Sequence, residues 1–150
     1  MDAVDRAITA QLAENGRLPN IELADRVGLS PSPCLRRVRA LEAAGVITGY
    51  HAAVDPRALG RGLDVLVHID MADQRSETIE AFEAACVARE EILACRRMFG
   101  APDYLLRVAV ADIEAYERFY MAELTRLPGV ARTRSQFAMK IIKGAPGFQW

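Results

Sequence analysis

Three arginines, Arg36, Arg37 and Arg39, fall close together in a chain of 150 residues whose formal net charge is only -1. Arginine carries a planar fork of N–H donors that grips guanine edges or phosphate oxygens. Residues of a helix follow one another at about 100°. Cys34, Val38 and Leu41 then share one face, and Ser32, Arg36 and Arg39 share the opposite one, with Arg37 between. No acidic residue occurs from Pro31 to Ala40 to neutralise them. Ser30 suits an N-cap and Pro31 a first helical position. An uncapped helix start also offers N–H groups to a phosphate. The expected chemistry is recognition of double-stranded DNA, with Ser30, Ser32, Pro33, Arg36, Arg37 and Arg39 as candidate contacts. On its flank, Arg37 suits a phosphate contact or an internal salt bridge equally. A solvated basic face is the plainer alternative, set aside because cap, turn and one-sided arginines agree.

The remaining reactive types are sparse. Cys34, Cys86 and Cys95 are odd in number and widely spaced, with no C-x-x-C pair, so neither a disulfide framework nor a zinc site is expected. His51 and His68 are too scattered for metal ligation, and no metal or cofactor is expected. Nothing resembles a phosphate-binding loop or a dinucleotide fingerprint. Glu90-Glu91 reads as a helix-end charge pair, and Asp103 has no partner carboxylate, so no catalytic residue is assigned. No apolar run approaches the roughly 18 residues that span a bilayer. The acidic, amphipathic start MDAVDRAI is unlike a secretory signal. A cytoplasmic protein with no membrane partner is the expectation.

The elements that must carry the arginines follow from periodicity and punctuation. Val4, Ile8 and Leu12, widened by Ala7, predict a first helix ended by Asn15-Gly16. Pro19-Asn20 opens a second, with Ile21, Leu23, Ala24 and Val27 as its apolar side and Gly28 as its stop. The third runs to about Ala44, before Gly45. The last two form a helix-turn-helix, whose second helix enters the major groove. Tyr50 to Val54 reads as a strand leading out of the unit. Beyond Gly62 the period changes. Strands are predicted at Leu63–Met71, Ile92–Phe99, Tyr104–Ala111 and Val130–Ile142. Helices are predicted from a Ser76 cap to about Arg89 and from an Asp112 cap to Leu127-Pro128-Gly129. Gly100 to Asp103 turns a hairpin. The order β-α-β-β-α-β is the ferredoxin-like arrangement. The fold class is therefore α+β. Residues 1–50 form a helix-turn-helix domain of winged-helix type, 51–62 a linker strand and turn, 63–143 a ferredoxin-like domain, and 144–150 a tail.

These segments together resemble a family. Val4-Asp5-Arg6-Ala7-Ile8, Gly16-Arg17, Glu22-Leu23-Ala24, Val27-Gly28-Leu29-Ser30 and Arg37-Val38-x-x-Leu41-Glu42-x-x-Gly45-Val46-Ile47 are similar to the Lrp/AsnC (feast/famine) transcriptional regulators. So are Asp55-Pro56, Leu59-Gly60, Gly100-x-x-Asp103-Tyr104-Leu105-Leu106-Arg107-Val108, Leu127-Pro128-Gly129-Val130 and Lys140-x-x-Lys143. The resemblance implies a sequence-specific regulator whose second domain dimerises through its sheet. It implies assembly of dimers into octamers, with a small effector, usually an amino acid, bound where dimers meet. It places that effector against the turn Gly100, Ala101, Pro102, Asp103 and Tyr104, and against Thr133 and Ser135 of the last strand. By type alone, Gly100 and Asp103 are equally ordinary turn residues, and Thr133 and Ser135 equally ordinary strand residues. Pro102 departs from the expected pattern, stiffening the turn and removing an N–H donor. An effector-independent regulator therefore stays open. A second resemblance, to sirohaem decarboxylases of similar fold, casts His51 and His68 as tetrapyrrole residues. It is weaker, because His51 follows the DNA-binding unit and His68 sits at an alternate, outward strand position; a third reading, a pure sensor or assembly module without DNA binding, is opposed by the arginine face.

Overall fold

The computed structural model describes residues 1–140 and 142. Ile141, Lys143 and the tail 144–150 lie outside the described residues. The chain divides into two compact units, Met1–Ala52 and the part from Ala53 onward.

The first unit holds three helices, α1 (Ala3–Glu14), α2 (Asn20–Arg26) and α3 (Pro31–Ala43). At the start of α1 the Asp2 carboxylate accepts from the Asp5 N–H, and the Asp5 carboxylate accepts in return from the Asp2 N–H. This reciprocal pair satisfies two amides that a helix start leaves open. Gly28 adopts φ +68°, and the Leu29 N–H reaches back to the Ala24 carbonyl at 2.9 Å. Glycine takes this left-handed turn without a Cβ penalty. The chain is thereby released from α2 and re-enters a helix two residues later. Ile8, Leu18, Leu23, Cys34, Val38 and Leu41 form the core between the three helices. Ile21, expected on the apolar side of α2, is instead 72 % exposed, and Ala7 is exposed as well. A seven-residue helix offers its core one narrow face, which Leu23 and Ala24 fill.

The second unit begins with a 3-10 turn at Pro56–Leu59 and continues β1 (Leu63–Met71), α4 (Ser76–Val87), β2 (Ile92–Arg97), β3 (Tyr104–Val110), α5 (Ile113–Ala122), a 3-10 turn (Leu124–Arg126) and β4 (Val130–Phe137). The sheet order is β2-β3-β1-β4, with every neighbouring pair antiparallel. β1 is central, and its alternation is strict. Val65, Val67 and Ile69 are buried with Phe82 and Cys86 of α4 and Tyr116 and Phe119 of α5, whereas Leu66, His68 and Asp70 face the uncovered side. This is the ferredoxin-like arrangement.

Several expected boundaries move. Tyr50 to Val54 forms no strand. A β-like sequence becomes a strand only when another strand takes its hydrogen bonds, and none within the described chain does. The cap of α4 is Arg75, with Ser76 as the first helical residue. α4 ends at Val87 rather than near Arg89. β2 ends at Arg97 rather than Phe99, β3 at Val110 rather than Ala111, and β4 at Phe137 rather than Ile142. β4 stops where its partner register on β1 ends, at Val65 opposite Phe137.

Candidate DNA interface and effector site

On α3 the side chains of Cys34, Val38 and Leu41 are buried, while those of Ser32, Arg36 and Arg39 are exposed on the other side. Among the described residues neither Arg36 nor Arg39 meets an acidic side chain. Leu35 lies on the same exposed stripe, at 38 % exposure. The spacing 32, 35, 36, 39 is one helical face, so this apolar member was readable from the sequence. A leucine there can contact a thymine methyl beside arginines that reach guanine or phosphate.

The start of α3 differs from expectation. Ser30 occupies the cap position, yet its hydroxyl makes no capping hydrogen bond. Pro31 and Pro33 carry no N–H, and the Cys34 N–H already donates to the Ser30 carbonyl at 3.2 Å. Among Pro31, Ser32 and Pro33, only Ser32 thus has an N–H to offer at this helix end. Pro31 has another role: its carbonyl accepts from Asn20 Nδ2 at 2.9 Å, which ties the start of α3 to the start of α2. Pro33 is half-buried.

Of the two roles open to Arg37, the structure shows the internal ion pair. Its Nη1 lies 2.7 Å from Asp2 Oδ2 and 2.8 Å from Asp5 Oδ1. The Asp5 N–H first, and Arg37 second, hold the Asp2 carboxyl below the usual carboxylate range. Arg37 thus joins α3 to the start of α1 and orients the stripe that carries Arg36 and Arg39.

In the second unit, the turn Gly100, Ala101, Pro102 and Asp103 closes the β2–β3 hairpin, with the Met98 N–H donating to the Asp103 carbonyl at 2.8 Å. Gly100 has φ +114°, and the Ala101–Pro102 bond is cis. Asp103 is occupied: Oδ2 accepts from the Met71 N–H at 2.7 Å and Oδ1 from Gln74 Nε2 at 3.1 Å. Both oxygens therefore pin the hairpin turn to the end of β1. Tyr104 is buried, and its hydroxyl donates to Glu83 Oε1 at 2.6 Å. Burial first, and Glu83 second, push its phenol up. Thr133 stands level with Tyr104, both paired across Ile69 of β1. Ser135 shares a 2.6 Å hydrogen bond with the Tyr116 hydroxyl. Thr133 and Ser135 thus lie on the helix-covered face, half-buried, and one strand separates them from the turn.

A larger concavity lies at the other end of the sheet. This open cleft of about 520 Å³ is lined by Arg61, Glu90, Glu91, Arg118, Phe119 and Glu123 among others, and by none of the expected effector residues. Its walls come from separate segments, so no local motif announces it. His51 is exposed at the end of the first unit, and His68 in the second unit is bonded through Nε2 to Gln136 Oε1 at 2.9 Å. No group of three or more metal-ligating side chains occurs among the described residues, and no helix there is long and apolar enough to cross a membrane.

Comparison with known proteins covers both units. Residues 1–48 match a sequence model described as winged helix-turn-helix DNA-binding, and residues 64–148 one described as the Lrp/AsnC ligand binding domain. The leucine-responsive regulatory protein of Haemophilus influenzae is 43 % identical over 143 residues, 95 % of this chain and 86 % of that protein. The namesake from Escherichia coli K12 is likewise 43 % identical over 143 residues, 95 % of this chain and 87 % of that one. A Neisseria meningitidis transcriptional regulator solved with L-methionine superposes with a TM-score of 0.90 at 36 % identity, over 99 % of this chain and 96 % of that one. Matched in both halves and along nearly its whole length, the chain belongs to the Lrp/AsnC family of transcriptional regulators, with a winged helix-turn-helix as its DNA-binding part.

Proposed function

We propose that the chain works in the cytoplasm as a homo-oligomeric, amino-acid-responsive regulator and that its activity is binding rather than catalysis. The observation that carries this is the stripe Ser32, Leu35, Arg36 and Arg39 on α3, exposed and, among the described residues, in no ion pair. Two such helices in a dimer meet two half-sites about one DNA turn apart. The uncovered sheet face, where Leu66, Ala94 and Leu105 line a shallow depression together with Arg96 and Arg107, supports self-association through the sheet. Dimers then assemble further, up to the octamer that the family resemblance implies. The effector is an amino acid, as in the regulator solved with L-methionine, and it sits against the Gly100–Tyr104 turn with Thr133 and Ser135. Because Asp103 is engaged with Met71 and Gln74, it shapes that turn, and the ligand's ammonium group finds other acceptors. The effector acts by binding oligomeric states unequally; equal affinity for all states shifts nothing.

A gel-shift titration against the DNA upstream of the chain's own gene tests this, run at two salt concentrations with and without the twenty amino acids. Specific, salt-sensitive binding that the pool alters is expected. Specific binding that ignores the pool removes the effector assignment. Absence of specific binding removes the regulator reading.

A further inference from the structure

The segment that follows α3 belongs to neither site and forms no strand, yet it is fastened to the first unit. The Val46 and Ile47 N–H groups both donate to the Leu41 carbonyl, at 2.9 and 3.2 Å, and the Ile47 side chain packs against the core of that unit. Tyr50 makes the last fastening among the described residues. Its hydroxyl donates to Glu42 Oε1 of α3 at 2.9 Å. Its ring lies against Gly16, in the turn between α1 and α2, where an added Cβ would come within 3.2 Å of Tyr50 Cδ1. The glycine leaves room for the ring, and a side chain there would push the ring aside. Burial first, and Glu42 second, push the Tyr50 phenol up. Tyr50 is nonetheless 48 % exposed, so it is a strap across the surface rather than a core residue. Beyond it, His51, Ala52, Ala53 and Val54 are exposed and in no helix or strand. The next fastening is in the second unit, where the Asp55 carboxylate accepts from the Arg57 N–H at 3.0 Å.

We infer that Tyr50 is a latch: held between Glu42 and Gly16, it fixes the point at which the chain leaves the helix-turn-helix unit, and so sets which spacing of two half-sites the protein accepts. This rests on the reading above, in which paired modules meet paired half-sites. With the latch closed, the unfastened connection is residues 51–54. With it open, the connection is residues 48–54, three residues longer. Each residue spans at most about 3.3–3.6 Å, so three add roughly 10 Å of reach. That equals about three base pairs of duplex, which rises roughly 3.4 Å per base pair. A short connection presents its module at one distance and one rotation about the duplex. A longer one follows other spacings, at a lower effective concentration for the second module. Tyr50 acts here through the placement of α3, and is thus a positioning residue.

The test titrates the wild-type chain, Tyr50→Ala, Tyr50→Phe and Glu42→Ala against the operator, the operator with two base pairs inserted between its half-sites, and a single half-site. The wild-type protein is expected to lose most of its operator affinity on the insertion. Tyr50→Ala is expected to bind the operator several-fold more weakly and the inserted duplex about as well as the operator, with affinity for the single half-site unchanged. Tyr50→Phe and Glu42→Ala are expected to give one and the same smaller shift. The double variant should shift no further than either alone, because both changes remove one bond. The inference is overturned if the variants lose the same factor on all three duplexes, as plain destabilisation of the first unit would produce. It is also overturned if the wild-type protein is indifferent to the insertion, a result that leaves the regulator reading standing. A wild-type protein with no specific binding removes both. Tyr50→Phe keeps the ring, so it decides the matter even where Tyr50→Ala fails to fold.

Discussion

Arg36 and Arg39 are exposed guanidinium groups on one helix face, and they differ in what they can be asked to do. Closer to the N-terminus of α3, Arg36 sits where that helix of the motif comes nearest the bases. Arg36→Ala should therefore weaken specific binding by about 1–3 kcal/mol while weakening non-specific binding less. Titrations on operator and scrambled DNA check this, and equal loss on both would assign Arg36 to phosphate instead. Leu35→Ala should leave phosphate binding intact and relax preference for thymine at one position of each half-site, read from a panel of single-base operator variants. Arg37→Ala acts differently again. It leaves Asp2 and Asp5 without their cation, so thermal stability of the first unit should fall before any DNA is added, and high salt should narrow the difference from wild type. Asp103→Ala leaves the Met71 N–H and Gln74 without acceptors. The range for hydrogen bonds to charged groups implies a loss of about 1.5–3 kcal/mol, measurable by urea denaturation. A merely liganding carboxylate would show no such loss.

Among elements, the connection from β1 to α4 and its neighbour before β4 form one interlocked corner. The Ala72 N–H donates to the Gly129 carbonyl at 2.8 Å. Gly129 has φ +68°, and a Cβ there would lie 2.1 Å from Thr78 Cγ2. Gly129→Ala should destabilise the second unit through both the clash and the left-handed backbone. Adding Thr78→Ala should restore only part of the loss, because it removes the clash and leaves the backbone strain; paired melting curves separate the two. Asp73 in the same corner is held at about 2, mainly by Arg75 and then by Thr78. Its carboxylate thus contributes stability above its ordinary value of 3.8, lost as pH falls from there toward 2. Asp73→Asn should flatten stability in that window and nowhere above it. Much of this architecture was legible in the chain. Helix stops at Gly28 and Gly45, the Asp112 cap and the β1 alternation depend on neighbours a few residues away, and such signals survive in a linear reading. The partners of Asp103 and Arg37 did not, since they come from 29 to 35 positions away. Met71 contributes a backbone N–H, which every residue type except proline carries. The 50–54 segment failed for the related reason that a strand is a property of a pair.

At the scale of the molecule, charge decides how the protein meets DNA. The first fifty residues hold six basic side chains (Arg6, Arg17, Arg26, Arg36, Arg37, Arg39) and six acidic ones (Asp2, Asp5, Glu14, Glu22, Asp25, Glu42). With no general positive field, one module binds weakly and a pair gains by effective concentration. If Arg39 holds a phosphate in each of two modules, Arg39→Ala should flatten the slope of log affinity against log salt by about 0.9 per lost contact. Comparison of the variant with the wild-type protein over a salt series measures it. The outer strands of the sheet have a separate consequence. β2 carries Arg96 and Arg97, β4 carries Arg132 and Arg134, and the β2–β3 and β1–β4 ladders each shift register once. Charge and irregularity along a sheet border discourage foreign strands from adding to it. Among the described residues both outer strands lack a further neighbour, and these features should lower the tendency of the domain to grow into fibrils when it is made in quantity.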